Sequence, residues 1–361
     1  MGAVPFCASS RRRICLSQSP DTGAKAISIP WQQVPIDKDS LRVLATRSDL
    51  KGLLQAGSFL LLLCFTAAAS FYSWSHLPLW VFVLVLFVHG TFSCFLHNGF
   101  HELVHGTVFK TKALNTAFRF VYGFLSWNSH VYFKASHVRH HLSTLHPAGD
   151  REVVLPIRLH LRNFLLAGFV DIVGFSTVMR DTARLCIGRL RGEWETALFP
   201  ESERDDRRRL FRWARILLVG HAAIVAVSLA SGIWLLAVVT TFARFYGWWL
   251  QWLCNNTQHI GLQDNVDDFR LCCRTIRLNP FLQFMYFHMN YHIEHHMYAA
   301  VPCYNLGKLR REIRSQMPDA PRGLIPAWTE IIRILRIQRR DPLYQHENVF
   351  PRSARGEEKR A

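Results

Sequence analysis

The sequence predicts an all-α, membrane-integral fold: four transmembrane helices in two hairpins, with a cytosolic helical cap that carries clustered histidines. Three observations predict it. Apolar runs of spanning length occur at about 52–74, 79–96, 210–230 and 233–253, each long enough to cross a hydrocarbon core. The tips inside each pair, 75–78 and 231–232, contain no Lys or Arg, while the remaining segments hold nearly all the basic residues. Eight of the 18 histidines fall into three five-residue windows, all on that basic side.

Taken in order, residues 1–50 read as a polar N-terminal tail, with Arg11, Arg12 and Arg13 and prolines at Pro5, Pro20, Pro30 and Pro35. It has no apolar core of the kind a secretory signal needs. Its first 20 residues carry Arg and Ser without acid, as organelle transit peptides do, although a cytosolic tail is the plainer expectation. The run at 52–74 and the run at 79–96 form the first hairpin, and those at 210–230 and 233–253 the second. By the positive-inside rule the N-terminal tail, the 97–209 segment and the C-terminal tail face the cytoplasm. Two weaker apolar stretches, 117–133 and 160–178, carry polar residues and lie between motifs that must share one side. They are expected as interfacial helices. Residues 51–310 then make up the membrane domain, and 311–361 a basic cytosolic C-terminal tail. Arg244 stands out as a charge inside the fourth run.

Composition narrows the function. The net charge of +17 flanks apolar runs rather than interleaving with aromatics, which suits anionic lipid headgroups and not nucleic acid. Nine cysteines, an odd number with no C-x-x-C spacing, argue against a disulfide framework or a thiolate zinc site. Half the residues are hydrophobic.

The histidine windows are "HELVH" (His101, His105), "HVRHH" (His137, His140, His141) and "HIEHH" (His292, His295, His296). On a helix, residues i, i+3 and i+4 share a face, so each window projects its imidazoles together. Neutral imidazole suits iron, zinc and copper. Alone, "HELVH" also fits a zinc protease, with His101 and His105 as ligands and Glu102 as general base. Eight imidazoles exceed what one tetrahedral zinc takes, and they match two metals that keep open positions.

These three windows, with "HELVHGTVFKT" and "NYHIEHHMYAAVPCYNL" around them, resemble the histidine boxes of the membrane fatty acid desaturase and hydroxylase superfamily over roughly residues 50–310. The resemblance implies a non-heme centre of two irons that activates dioxygen at the cytosolic surface. It implies iron ligation by His101, His105, His137, His140, His141, His292, His295 and His296. "CNNTQHIGL" supplies the further histidine that the family places after the fourth span, His259, and Asn255 stands four residues before it as a candidate water-mediated neighbour. His97 and His288 lie one helical turn before His101 and His292, and are candidates for support of the ligands rather than ligation. Glu102 and Glu294, inside the boxes, could orient imidazoles through their ring N–H groups. Asp150, Asp264, Asp267 and Asp268 read as loop charges or helix caps near the site, and His89, His130, His146, His160 and His221 as structural.

The implied activity is O2-dependent desaturation or hydroxylation of an unactivated C–H bond, by default in a fatty acyl chain. The alternative is hydroxylation, epoxidation or ketone formation on a polyketide, terpenoid or carotenoid, and the zinc membrane protease is the remote rival. Neither a G-x-G-x-x-G fingerprint nor a cysteine cluster supplies a redox module, and "HPAG" at 146–149 leaves no room for a heme domain. The electron donor is therefore expected to be a separate protein of the cytochrome b5/reductase or ferredoxin type. Trp248, Trp249 and Trp252 would form an interfacial belt or line the substrate channel. The expected setting is an integral membrane protein with both termini cytosolic, in the endoplasmic reticulum if eukaryotic.

Overall fold

The computed structural model of the protein describes residues 29–157, 159 and 161–350. The reading of residues 1–28 and the structural role given to His160 lie outside the described residues. Where described, the regular structure of the chain is helical, with isolated backbone bridges but no strands.

Among the described residues, three helices are long and apolar enough to cross a membrane: Asp49–His76, Leu79–His105 and Arg204–Ala230. The first begins at Ser48, whose hydroxyl accepts from the Lys51 N–H. Its second turn, Leu53–Gly57, is a π-turn. Here Gln55 donates to the Phe284 carbonyl at 2.9 Å, and the Ala56 carbonyl accepts from the Tyr122 hydroxyl at 2.8 Å. Leu77 and Pro78 reverse the chain into the second helix, since Pro78 cannot continue the first one's hydrogen bonds. Leu61, Phe65, Leu79 and Trp80 stand outward, two-thirds or more exposed. Such a surface belongs against lipid rather than water.

The fourth run departs from expectation. Residues 233–253 do not form one helix but Trp234–Thr240, a 3-10 turn Ala243–Phe245, and Trp249–Asn255. Arg244 and Gly247 explain the break. The Arg244 side chain donates to the Ser126 carbonyl, which holds this turn against a neighbouring loop. Gly247 has φ +75°, and a Cβ there would lie 2.5 Å from the Thr91 nitrogen. The freed backbone is satisfied locally: the Cys94 thiol faces the Arg244 and Tyr246 carbonyls at 3.6 Å, and Tyr246 bridges Val170.

Both stretches expected as interfacial helices are also divided. Residues 117–133 split at a turn, Ser126–Ser129, between Lys112–Leu125 and His130–Leu142. Residues 160–178 split at Val170 and Asp171, between Leu161–Phe169 and Ile172–Cys186. Leu161, Leu166, Phe169, Ile172 and Val173 are exposed around this second junction, as a helix lying in a membrane surface requires.

Both ends of the described chain pack on the histidine-bearing half. Trp31 stacks on Phe269 with centroids 4.0 Å apart and donates to the Leu142 carbonyl at 2.9 Å. Helix Leu324–Gln338 buries Ala327, Ile331 and Ile334, and its Trp328 donates to the Leu253 carbonyl at 3.0 Å.

Candidate metal centre

Four short pieces of backbone bring the histidines together. Leu79–Cys94 continues through Phe95 into Leu96–His105, so the first window is the last turn of a spanning helix. The second lies on His130–Leu142, whose N-terminus is capped by the Ser129 hydroxyl. The third is the short helix His292–Met297. Glu294 fastens it from behind, accepting from Thr275 Oγ1 at 2.6 Å and pairing with Arg310. His259 follows Trp249–Asn255 in a tight turn. There Gly261, at φ +77°, passes so close to Ile334 that a Cβ would lie 2.4 Å from it.

The nine histidines named from the sequence gather into two groups. His101, His105, His137, His141 and His295 form one; His140, His259, His292 and His296 form the other. Within each group the ligand atoms all lie within 4.8 Å of one another. Each of the second and third windows divides between the two, so neighbouring side chains of one helix serve different groups.

The nitrogens face inward in an arrangement that suits a cation. In the larger group, His137 Nε2 lies 3.2 Å from His105 Nε2 and 2.9 Å from His141 Nε2. In the smaller, His292 Nε2 lies 2.8 Å from His259 Nε2 and 3.1 Å from His296 Nε2. The tautomer of His259 is fixed, because its Nδ1 faces the Cys272 carbonyl at 2.9 Å and must carry the proton. Its Nε2 therefore presents a lone pair to the centre of its group. His295 Nε2 is buried with no hydrogen-bond partner among the described residues. Converging imidazole lone pairs and an orphaned ring nitrogen fit a bound metal in each group.

Partners on the outer ring nitrogens complete the site. Glu102 Oε1 lies 3.2 Å from His101 Nδ1 and 3.3 Å from His295 Nδ1, so one carboxylate spans two windows. Glu152 Oε1 lies 2.9 Å from His137 Nδ1, while its other oxygen accepts from Ser136 at 3.0 Å. Asp150 Oδ2 lies 2.8 Å from His140 Nδ1 and accepts from the Leu145 N–H, and Oδ1 accepts from the Glu152 N–H at 2.8 Å. The Thr144 hydroxyl donates to the His140 carbonyl and meets His296 Nδ1 at 3.2 Å.

Burial, reinforced by neighbouring imidazoles, holds His137, His141, His292, His295 and His296 well below the ordinary histidine range. Burial likewise brings His259 down to about 3. These rings are thus neutral, as ligation requires. At His140 burial lowers the pKa, but the Asp150 carboxylate more than offsets it and the net shift is upward.

The other named residues fall outside the two groups. Asn255 ends its helix half-buried, four residues before His259. His97 meets Asn128, and His288 sits at φ +57° in the turn before the third window. Among the described residues Glu294 meets Thr275 and Arg310 rather than an imidazole, because it lies on the opposite side of its helix from His292. Asp268 caps Phe269–Cys272, Asp267 meets Gln32, and Asp264 meets Gln345. His89, His146 and His221 hold backbone carbonyls, and His130 packs on Phe120 and Trp213. Trp252 stacks on Trp328 and Trp249 donates to Thr91, so both are packing residues.

Sequence reasoning missed Glu152, and placed Asp150 near the site without its ring contact. A loop carboxylate carries no helical spacing; the signal was the tight turn from His146 to Asp150, which folds the chain back along His130–Leu142.

A family model described as fatty acid desaturase matches residues 74–328, a span that includes all three windows and His259. No curated protein sequence matches the chain.

Proposed function

The chain belongs to the fatty acid desaturase family, and from that premise we propose that it is an O2-dependent membrane oxidoreductase with an iron held in each histidine group. Its reaction in this reading is desaturation or hydroxylation at an unactivated C–H position of a fatty acyl chain or similar lipid. The observation that carries the reading is the division of nine histidines, seven of them buried, into two inward-facing groups. Bound iron with dioxygen supplies the oxidising power that no side chain has.

The chain's own residues do the rest. Glu102, Glu152, Asp150 and the Cys272 carbonyl take the outer ring protons of His101, His137, His140 and His259, which fixes the orientation of four imidazoles and leaves their inner nitrogens free to ligate. Phe133 and Phe269, both buried, lie against the rings and limit water. Desaturation removes two hydrogens and reduces O2 to two waters, so two further electrons must enter per turnover. A separate carrier of the cytochrome b5/reductase or ferredoxin type would deliver them, drawn to the basic side of the chain. That side, with both termini, is cytosolic in this reading, at the endoplasmic reticulum in a eukaryote.

Expression in a host with its own reductase system, followed by untargeted mass spectrometry, tests the reaction. Loss of two hydrogens identifies a desaturase and gain of one oxygen a hydroxylase, epoxidase or related enzyme of lipid or specialised metabolism. His140→Ala should abolish product; product persisting in that variant refutes the metal assignment. One zinc per chain, with Glu102→Gln alone removing activity, would instead support the protease.

A further inference from the structure

Two partly accessible side chains, Arg244 and His97, carry hydrogen-bond donors with no acceptor among the described residues. Arg244, in the break of the fourth run, is enclosed by the bundle yet keeps accessible surface, whereas Ala243 and Phe245 beside it retain 3% and 5%. A guanidinium has five N–H donors. Among the described residues its hydrogen-bond partner is the Ser126 carbonyl; Phe245 lies under it, and Asp171 acts from beyond pairing distance.

His97 is also enclosed and also keeps accessible surface, one turn before His101. Asn128 Nδ2 donates to the Ser126 carbonyl at 3.2 Å, which fixes the amide's orientation, and lies 3.4 Å from His97 Nδ1. The His97 proton therefore sits on Nε2, a second donor without an acceptor among the described residues. One turn, Ser126–Ser129, with Trp127 at φ +56°, anchors both residues through the Ser126 carbonyl and Asn128. A charged side chain enclosed by apolar neighbours is costly unless it is paired or serves a ligand, and an unbranched alkyl chain offers it nothing to bind.

We propose that a substrate-binding space ends at His97 and Arg244, and that these two side chains bind an oxygen acceptor of the substrate, a carboxylate or carbonyl. The reacting C–H then lies a few carbons from that group, since His97 stands about 6 Å along the helix from His101. The substrate class is an oxygenated lipid bound polar end inward. This rests on the oxidoreductase reading above.

Iron-loaded full-length protein in nanodiscs is titrated with dodecanoic acid, methyl dodecanoate and dodecane, with binding read by equilibrium dialysis. The acid should bind at least tenfold tighter than dodecane. Binding of the ester as well means that a carbonyl suffices; its failure means that the anion is required. Arg244→Leu should remove the preference for the acid, and Arg244→Lys should keep most of it. If Arg244→Leu loses its iron or its fold, His97→Phe supplies the same comparison. The proposal falls if the wild type binds acid and dodecane alike or binds none of the three, or if the loss variants discriminate as the wild type does. Wild type that holds no iron defeats the oxidoreductase reading instead, a result the metal analysis reports separately.

Discussion

The two histidine groups differ in what stands behind them. The five-histidine group leans on two carboxylates, Glu102 across His101 and His295 and Glu152 behind His137. The four-histidine group has one carboxylate, Asp150, and otherwise neutral acceptors, the Cys272 carbonyl and the Thr144 hydroxyl. Carboxylates make imidazoles better donors than neutral acceptors do. The difference teaches that, with a metal in each group as proposed, the two positions would be unequal: the larger group should bind more tightly, and the smaller should exchange metal first.

Ligand deletion tests this comparison most severely. His137→Ala and His259→Ala should each halve the iron content and abolish product, measured by elemental analysis and mass spectrometry. Loss of both irons from either variant would show that the groups bind as one unit. Next come the supporting carboxylates. Glu102→Gln should weaken metal binding at the larger group by about 10–100-fold, and Asp150→Asn should do so at the smaller group, in a two-phase metal titration. If both variants weaken the same phase, the assignment of carboxylates to groups is wrong.

Chelation gives a smaller, graded effect. Each metal held at a hundredfold excess over its dissociation constant adds about 2.7 kcal/mol to stability, so stripping should lower the unfolding temperature in two steps, the four-histidine group emptying first. Smallest of all, Thr144→Val removes the hydroxyl's two neutral contacts, to His296 Nδ1 and the His140 carbonyl, each worth about 1 kcal/mol. It should slightly favour loss from the smaller group and leave the larger unchanged.

The histidines were legible because helical spacing is a local property: His137, His140 and His141 must share a face. Their division between two groups was not, since it depends on how three separate helices meet. Glu294 shows the limit within a window. At roughly 100° per residue it sits about 200° round the helix from His292, so its place in "HIEHH" says little about its partner. Glu102, one step from His101, reaches both its own neighbour and His295 across the site. Of the spans, the first hairpin and Arg204–Ala230 were readable from apolar length. The interruption at Ala243–Phe245 was signalled by Arg244 and Gly247, but hydropathy averages over both.

The helix Leu79–His105 runs unbroken in course from the hairpin tip to the last ligand of the first window. Its 27 residues extend about 40 Å, against a hydrocarbon core of roughly 30 Å. With its start at the far edge of that core, its end clears the near edge by about 10 Å. In the proposed reading the histidine groups would thereby be carried at a set height, as on a mast stepped in the bilayer. Membrane thickness would then become a parameter of catalysis: thickening the lipid would sink the mast, and the carbon presented for oxidation would shift along any substrate that stays seated in the leaflet.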